Sequence, residues 1–276
     1  GARSDGHDFA ASAYESGCRC FLAERPLDLA KDASVTVVSS TRRALAVIAQ
    51  RFYGEPAASL RLIGITGTKG KSTTAELIRS GLEAAGRRTG IIGTCGIGYG
   101  GSLRPSANTT PDALELARTL ADMRDAGVET VVMEVSSQAY KLDRVYGLHF
   151  AEGGFTNLSP DHIGPTEHAN MEEYISSKAR LFAASALSVL NADDAQCGRM
   201  AHSATGDVIG YGIDSACALP AEDIRETSVC GNAGMSFEVG GVRFTVAMPG
   251  IFSVYNALAA IAVLRAEGVG LSLIHI

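Results

Sequence analysis

The chain has 276 residues, 46% of them apolar, and a formal net charge of −6. That length suits one large or two modest domains with a substantial core. The acidity argues against a nucleic-acid partner, and the lack of any uninterrupted apolar run of about 18 residues argues against a membrane helix. Cys18, Cys20, Cys95, Cys197, Cys217 and Cys230 make no CxxC pair and no zinc-type spacing. Cys18 and Cys20 read as small core residues, and scattered thiols suit a reducing cytoplasm. No signal peptide is visible, and Gly at position 1 suggests that the native start is missing.

Along the chain, residues 7–17 read as helix, "CRCFLAE" and "SVTVVSS" as strands, and "TRRALAVIAQRFYG" as a helix ended by Gly54. "GEPAAS", residues 54–59, reads as a linker. Strands over 60–65, 89–93, 128–134, 149–156 and 187–191 then alternate with helices over 71–85, 111–126 and 171–184. This alternation predicts an α/β fold, a mostly parallel sheet with helices on both faces. Residues 205–248, Gly-rich and β-prone, read as a small antiparallel appendage, and "FSVYNALAAIAVLRAEG" as a helix stopped by Gly268. The final "LSLIHI" follows a helix stop and is the translation of CTG-TCT-CTT-ATA-CAC-ATC, a transposon-type sequencing adapter, so residues 271–276 are expected to be non-native.

The stretch Gly64-Ile65-Thr66-Gly67-Thr68-Lys69-Gly70-Lys71-Ser72 reads as the phosphate-loop pattern G-x-x-x-x-G-K-S, with Gly64 taken as the first glycine. Glycines let successive N–H groups curl toward phosphate oxygens, and the helix that follows adds its positive end. A strand before and a helix after give the expected context. Lys71 would reach the terminal phosphates of ATP and Ser72 would ligate Mg²⁺.

Other residues leave two readings open. Glu134 closes an apolar strand, as a Mg²⁺ ligand or as a cap of the next helix. His162 and His168 follow another strand end, and His162 is either a metal ligand or structural. Lys178 shares a helical face with Tyr174, Leu181 and Phe182, where a lysine ordinarily snorkels to water.

Together these residues resemble the Mur ligase family, most closely its MurE branch of peptidoglycan synthesis. The matching stretches are "DGHDF", "RFYGEPAASLRLIGITGTKGKSTTAEL", "GIIGT", "NTTPDALEL", "MEVSSQAYKLDRV", "FTNLSPDHIG", "MEEYISSKARLF", "VLNADD" and "PGIFSVYNALAA", in family order over nearly the whole chain. The resemblance implies part of an N-terminal α/β domain for the UDP substrate over 1–57, and a central ATP-binding domain over 58–270. It also implies an amino-acid-binding C-terminal domain absent from the chain, and activity of this fragment is therefore doubtful. Gly67, Thr68, Lys69, Gly70, Lys71, Ser72 and Thr73 would hold ATP, with Asn256 near the adenine. Ser72, Glu134, His162 and Lys178 would hold metal, Lys178 as a CO₂ carbamate. Lys71, Lys178 and His162 would be catalytic, and Asn108, Thr109, Thr110, Ser136 and Arg144 would contact substrate.

The implied enzyme is a cytoplasmic, monomeric, ATP- and Mg²⁺-dependent ligase. It would join a diamino acid to UDP-MurNAc-L-Ala-D-Glu through an acyl phosphate. Lys69 stands where many of the family have Asn, and Ser72 where many have Thr; "GTKGK" favours L-lysine over meso-diaminopimelate. A folylpolyglutamate-type or MurT-type ligase is the alternative, but "NTTP" opposes the first and the missing cysteine ribbon opposes the second. A non-catalytic ATP-binding fragment is a third reading.

Overall fold

The computed structural model describes residues 5–161, 163–164 and 167–271. The chain opens with a 3₁₀ turn, Gly6–Phe9, started by Asp5, whose carboxylate accepts from the His7 N–H at 3.0 Å. Helix α1 (Ala10–Glu15), strands β1 (Cys20–Ala23) and β2 (Ser34–Val37) and helix α2 (Thr41–Phe52) follow. The two strands pair in parallel as a sheet of their own. In β1 only Ala23 is buried, and Cys18 and Cys20 are exposed rather than in the core, because this small sheet leaves much of its surface to solvent. Ser40 caps α2, its hydroxyl accepting from the Arg43 N–H at 3.3 Å. Gly54, at φ 75°, ends the segment, and the expected linker is instead a 3₁₀ turn, Pro56–Ser59, with Pro56 buried.

The main body runs β3 (Arg61–Thr66), α3 (Lys71–Ala84), β4 (Thr89–Gly93), β5 (Gly96–Tyr99), β6 (Ser102–Arg104), α4 (Ala113–Asp125), β7 (Thr130–Glu134) and α5 (Ser137–Lys141). It continues with β8 (Phe150–Phe155), α6 (Met171–Ala183), β9 (Ser185–Asn191), α7 (Cys197–Ser203), β10 (Asp207–Gly212) and β11 (Leu219–Pro220). Strands β12 (Glu222–Val229), β13 (Asn232–Val239) and β14 (Val242–Val246) and helix α8 (Ile251–Ala266) complete it. The large sheet has the order β11-β10-β9-β8-β3-β7-β4-β5-β6. All its pairs are parallel except β4–β5 and β5–β6.

This sheet confirms the mixed α/β expectation with two corrections. The short strands β5 and β6 extend it as an antiparallel hairpin, and β10 and β11, expected in the appendage, belong to its far edge. The separate antiparallel sheet is β12-β13-β14 alone.

Period-two alternation sends successive β3 side chains to opposite faces. Ile63 and Ile65 join Ile78 and Leu82 of α3, Leu258 and Ile261 of α8, and Phe237 and Phe244 of the small sheet. Leu62 instead joins Leu116 and Leu120 of α4 and Ile175, Leu181 and Phe182 of α6. Each such side chain contributes about 1.5–3 kcal/mol by leaving water. Strand β3 lies where the connections diverge, with β7 on one side and β8 on the other, so a crevice forms at the carboxyl ends of these strands. Among the described residues, no helix is long and apolar enough to cross a membrane. Leu271 packs against the α8-side core; the rest of the expected non-native tail, residues 272–276, lies outside the described residues.

Candidate active site

The turn that joins β3 to α3 sits at the mouth of that crevice. Counted along the chain, five residues separate Gly64 from Gly70, one more than the phosphate-loop pattern allows. Gly64 is a strand residue: a Cβ there would lie 2.8 Å from Leu181 Cδ1 and 3.0 Å from Phe150 Cδ1. Its missing side chain lets α6 close onto β3. The loop glycines are Gly67, at φ 150°, and Gly70, at φ 85°. A Cβ on Gly67 would meet Thr156 Oγ1 at 1.9 Å, and one on Gly70 would meet Asn256 Oδ1 at 2.2 Å. Asn256, in the first turns of α8, is thereby held against the loop.

The loop is laced to the end of β8. The Thr68 N–H donates to Asn157 O at 2.8 Å, and the Lys69 N–H donates to Asn157 Oδ1 at 3.1 Å. Asn157 Nδ2 and Thr156 Oγ1 donate to Lys69 O at 3.0 and 2.7 Å. Thr68 Oγ1 lies 3.1 Å from the Tyr174 hydroxyl. Thr156, Asn157 and Tyr174 were not singled out from sequence as loop supports, although "FTNL" at a strand end was the available signal.

Two lysines converge on this turn. Lys71 Nζ donates to Gly67 O and Thr68 O, both at 3.0 Å. Lys178 Nζ donates to the same Gly67 carbonyl at 2.7 Å and lies 4.6 Å from the centre of the Tyr174 ring. Lys178 is 2% exposed, so it does not snorkel. Burial, and secondarily the nearby Lys71 charge, hold its pKa well below the ordinary lysine value. Burial lowers that of Lys71 as well.

Glu134 ends β7, on the opposite flank of the loop. It accepts from Ser72 Oγ at 2.8 Å, from the Thr94 N–H at 2.8 Å and from Thr94 Oγ1 at 3.3 Å. Thr94, just after β4, is a further residue that sequence reasoning left unassigned. Among the described residues no group of three or more His, Cys, Asp or Glu side chains is gathered for a metal. The donors that fit a hard divalent cation are the Ser72 and Glu134 oxygens. Lys178 could join them only after its amine becomes an anionic oxygen group. The expected metal ligand His162 lies outside the described residues.

The expected substrate residues gather beside Glu134. Thr110 Oγ1 donates to Glu134 O at 2.9 Å and accepts from the Ser136 N–H at 3.1 Å. Arg144 donates to Thr110 O at 2.8 Å. Thr109 Oγ1 lies 3.0 Å from Thr94 Oγ1, and Asn108 O accepts from Ser106 Oγ at 2.7 Å. Ser136 caps α5 by accepting from the Ala139 N–H at 3.2 Å. Thr73 is half-buried in the first turn of α3. His168 is fully buried, with Nε2 2.8 Å from Ser137 Oγ, and burial lowers its pKa.

Residues 65–264 match the Mur ligase middle domain. UDP-N-acetylmuramoyl-L-alanyl-D-glutamate–2,6-diaminopimelate ligases of Halalkalibacterium halodurans and Clostridium botulinum are 42% and 38% identical, over 97% and 99% of this chain. The matches cover 55% and 57% of those proteins, so the chain spans about half the length of the relatives it resembles. A solved ligase of the same name superposes with a TM-score of 0.84 at 28% identity, over 97% of this chain and 55% of that one. A Mycobacterium tuberculosis folylpolyglutamate synthase superposes at 0.67 over 84% of this chain and 61% of that one, at 17% identity, which is a likeness of fold alone. The domain match covers most of the chain, and the nucleotide-type loop lies inside it: this chain belongs to the Mur ligase family.

Proposed function

We propose that the chain is the nucleotide-binding part of an ATP-dependent amide ligase that extends UDP-MurNAc-L-Ala-D-Glu by a diamino acid. The observation that carries this reading is the convergence of Lys71, Ser72, Glu134 and Lys178 on the Gly67–Ser72 turn, with Thr109, Thr110, Ser136 and Arg144 alongside. Residues 58–270 form the ATP-binding domain in this reading. Residues 1–57 are part of the UDP-substrate domain, whose cavity of about 1100 Å³ is lined by His7, Arg25, Ser40 and Arg42. Residues 271–276 are the non-native tail.

Lys71, released from the Gly67 and Thr68 carbonyls, is positioned to bind the terminal phosphates of ATP. The first N–H groups of α3 supply further positive potential, the Thr68 and Lys69 N–H groups being taken by Asn157. Ser72 and Glu134 would hold Mg²⁺, which when bound offsets phosphate charge. Lys178, buried and biased toward its neutral amine, is chemically suited to take up CO₂ as a carbamate. Arg144 and the Thr109 hydroxyl would orient the D-Glu carboxylate toward the γ-phosphate, with buried Thr110 holding Ser136 and the Glu134 carbonyl in place behind them. Phosphoryl transfer gives an acyl phosphate and ADP; the amine then attacks the acyl carbon and phosphate departs.

The preference for L-lysine rested on Lys69, a loop residue bonded through its backbone to Asn157, and such bonds discriminate no amine. The relatives' printed substrate makes 2,6-diaminopimelate the better assignment. Calorimetry with a non-hydrolysable ATP analogue tests the reading: binding that requires Mg²⁺ is expected, and no binding overturns it. ADP release measured with and without UDP-MurNAc-L-Ala-D-Glu then distinguishes ligase chemistry from nucleotide binding alone.

A further inference from the structure

The Thr94 side chain stands between two sets of residues that the proposed function keeps apart. Its hydroxyl lies 3.3 Å from Glu134 Oε2 on one side and 3.0 Å from Thr109 Oγ1 on the other. Glu134 in its turn is bonded to Ser72 at the start of α3. A carboxylate only accepts, so Thr94 donates its one hydroxyl proton to Glu134, and the Thr94 oxygen is left to accept from Thr109. The polarity of the chain is therefore fixed: Thr109 to Thr94 to Glu134. Its first member, Thr109, is half-buried beside the residues assigned to the acceptor substrate, and its last is the Glu134 carboxylate of the proposed cation site.

We infer that Thr94 is a positioning residue that couples acceptor-substrate binding to the cation-binding carboxylate. The inference rests on the ligase reading above. When an anionic substrate group takes the Thr109 hydroxyl as its donor, Thr109 turns away from Thr94. The Thr94 hydroxyl is then less polarised, withdraws less charge from Glu134, and leaves that carboxylate a stronger ligand. Chained hydroxyls strengthen one another in this way, and the loss of one link weakens the next. The backbone N–H of Thr94, 2.8 Å from Glu134 Oε1, is not part of the relay and keeps the carboxylate oriented in either case. Substrate binding should therefore tighten the site for Mg²⁺ and nucleotide together, and by reciprocity the loaded nucleotide site should tighten the acceptor.

The test is calorimetric titration of the 276-residue chain with Mg²⁺ and a non-hydrolysable ATP analogue, with and without saturating UDP-MurNAc-L-Ala-D-Glu. For the unsubstituted chain, the acceptor should tighten nucleotide binding by up to about twofold, the share of a hydrogen bond that cooperative polarisation carries. T94V removes the hydroxyl but keeps shape and backbone N–H, and should bring the factor to about one. T94S restores the hydroxyl and should restore the factor; a merely structural role would not separate these two variants. Equal factors in T94V and the unsubstituted chain, or a factor of one in the unsubstituted chain, overturn the relay while leaving the ligase reading intact. Failure of the unsubstituted chain to bind the nucleotide at all overturns the ligase reading, and the relay with it.

Discussion

Lys71 of α3 and Lys178 of α6 aim at one backbone carbonyl, that of Gly67. Burial and the Lys71 charge disfavour a charged amine at Lys178 unless an anion comes between the two side chains, which suits a turn built for polyphosphate. Replacing Lys71 with Ala should weaken Mg²⁺–nucleotide binding by about ten- to a hundredfold, the value of a charge-assisted bond; titration calorimetry checks this. The neighbouring lysine carries a different expectation. Since CO₂ adds only to neutral amine, ¹³C-bicarbonate should give a carbamate resonance that grows as pH rises through the lowered Lys178 pKa. The resonance should vanish in Lys178→Ala. Gly70→Ala places a side chain at φ 85° and 2.2 Å from Asn256 Oδ1, so it should lower the melting temperature and weaken nucleotide binding together.

Helix α6 presents Lys178 to the loop because β3 carries no side chain at Gly64. Gly64→Ala would drive a methyl group to 2.8 Å from Leu181, and overpacking of this kind costs about 1–3 kcal/mol. Denaturant unfolding should register that loss, and the carbamate resonance should fall with it as the helix is levered away. The long helices α2, α3, α4, α6 and α8 were legible in sequence because each carries an apolar stripe with 3.6-residue spacing or, in α8, an apolar run too long for a strand. The hairpin β5–β6 was not, since "GIGYGGSLR" alternates glycine with larger residues and presents no apolar face of its own. Helices α5 and α7, five and seven residues long, are too short for periodicity to reveal. Strands β10 and β11 were misplaced because pairing partners are a tertiary choice, and β10 finds its partner in β9.

At the opposite end of the sheet from the loop, two buried carboxyl groups and two partly exposed guanidinium groups tie the last turn of the fold to its centre. Arg61 of β3 pairs with Glu152 of β8 at 2.5 Å and with Glu267 beyond α8, which also pairs with Arg87. Burial, and then the adjacent Glu267 carboxylate, push Glu152 up to about 8 from an ordinary glutamate value of 4.5. The native state thus holds a proton that the unfolded chain releases more readily. The stabilisation is complete below the unfolded pKa and is lost as pH climbs through the folded one. Glu152→Gln stays neutral at every pH, so its melting temperature relative to the unsubstituted chain should rise between about pH 5 and pH 9. A flat difference would show that Glu152 is ionised in the folded protein.

The meeting of Lys71, Ser72 and Glu134 was legible where a phosphate-loop pattern and a strand-end carboxylate fall in one α/β sheet, whereas the spacing of Lys178 pointed to water and only the family resemblance drew it toward the loop. The site was not legible at Thr94, Asn157 and Tyr174, whose roles exist only once distant segments touch.

The three-stranded sheet β12-β13-β14 leaves the main sheet after β11 and rejoins it through α8, yet Met235, Phe237, Val239, Phe244 and Val246 share one apolar cluster with both. An excursion that buries its face in its host has no interior of its own. Melting should therefore take the excursion and its host in one step, with matching hydrogen-exchange protection at Phe237 and Ile261. Phe237→Ala, about 3–5 kcal/mol in a core of this kind, should loosen the loop-bearing strands as much as the hairpin it sits in. A lesion far from Lys71 and Lys178 would thus unsettle the turn they share by dissolving its foundation.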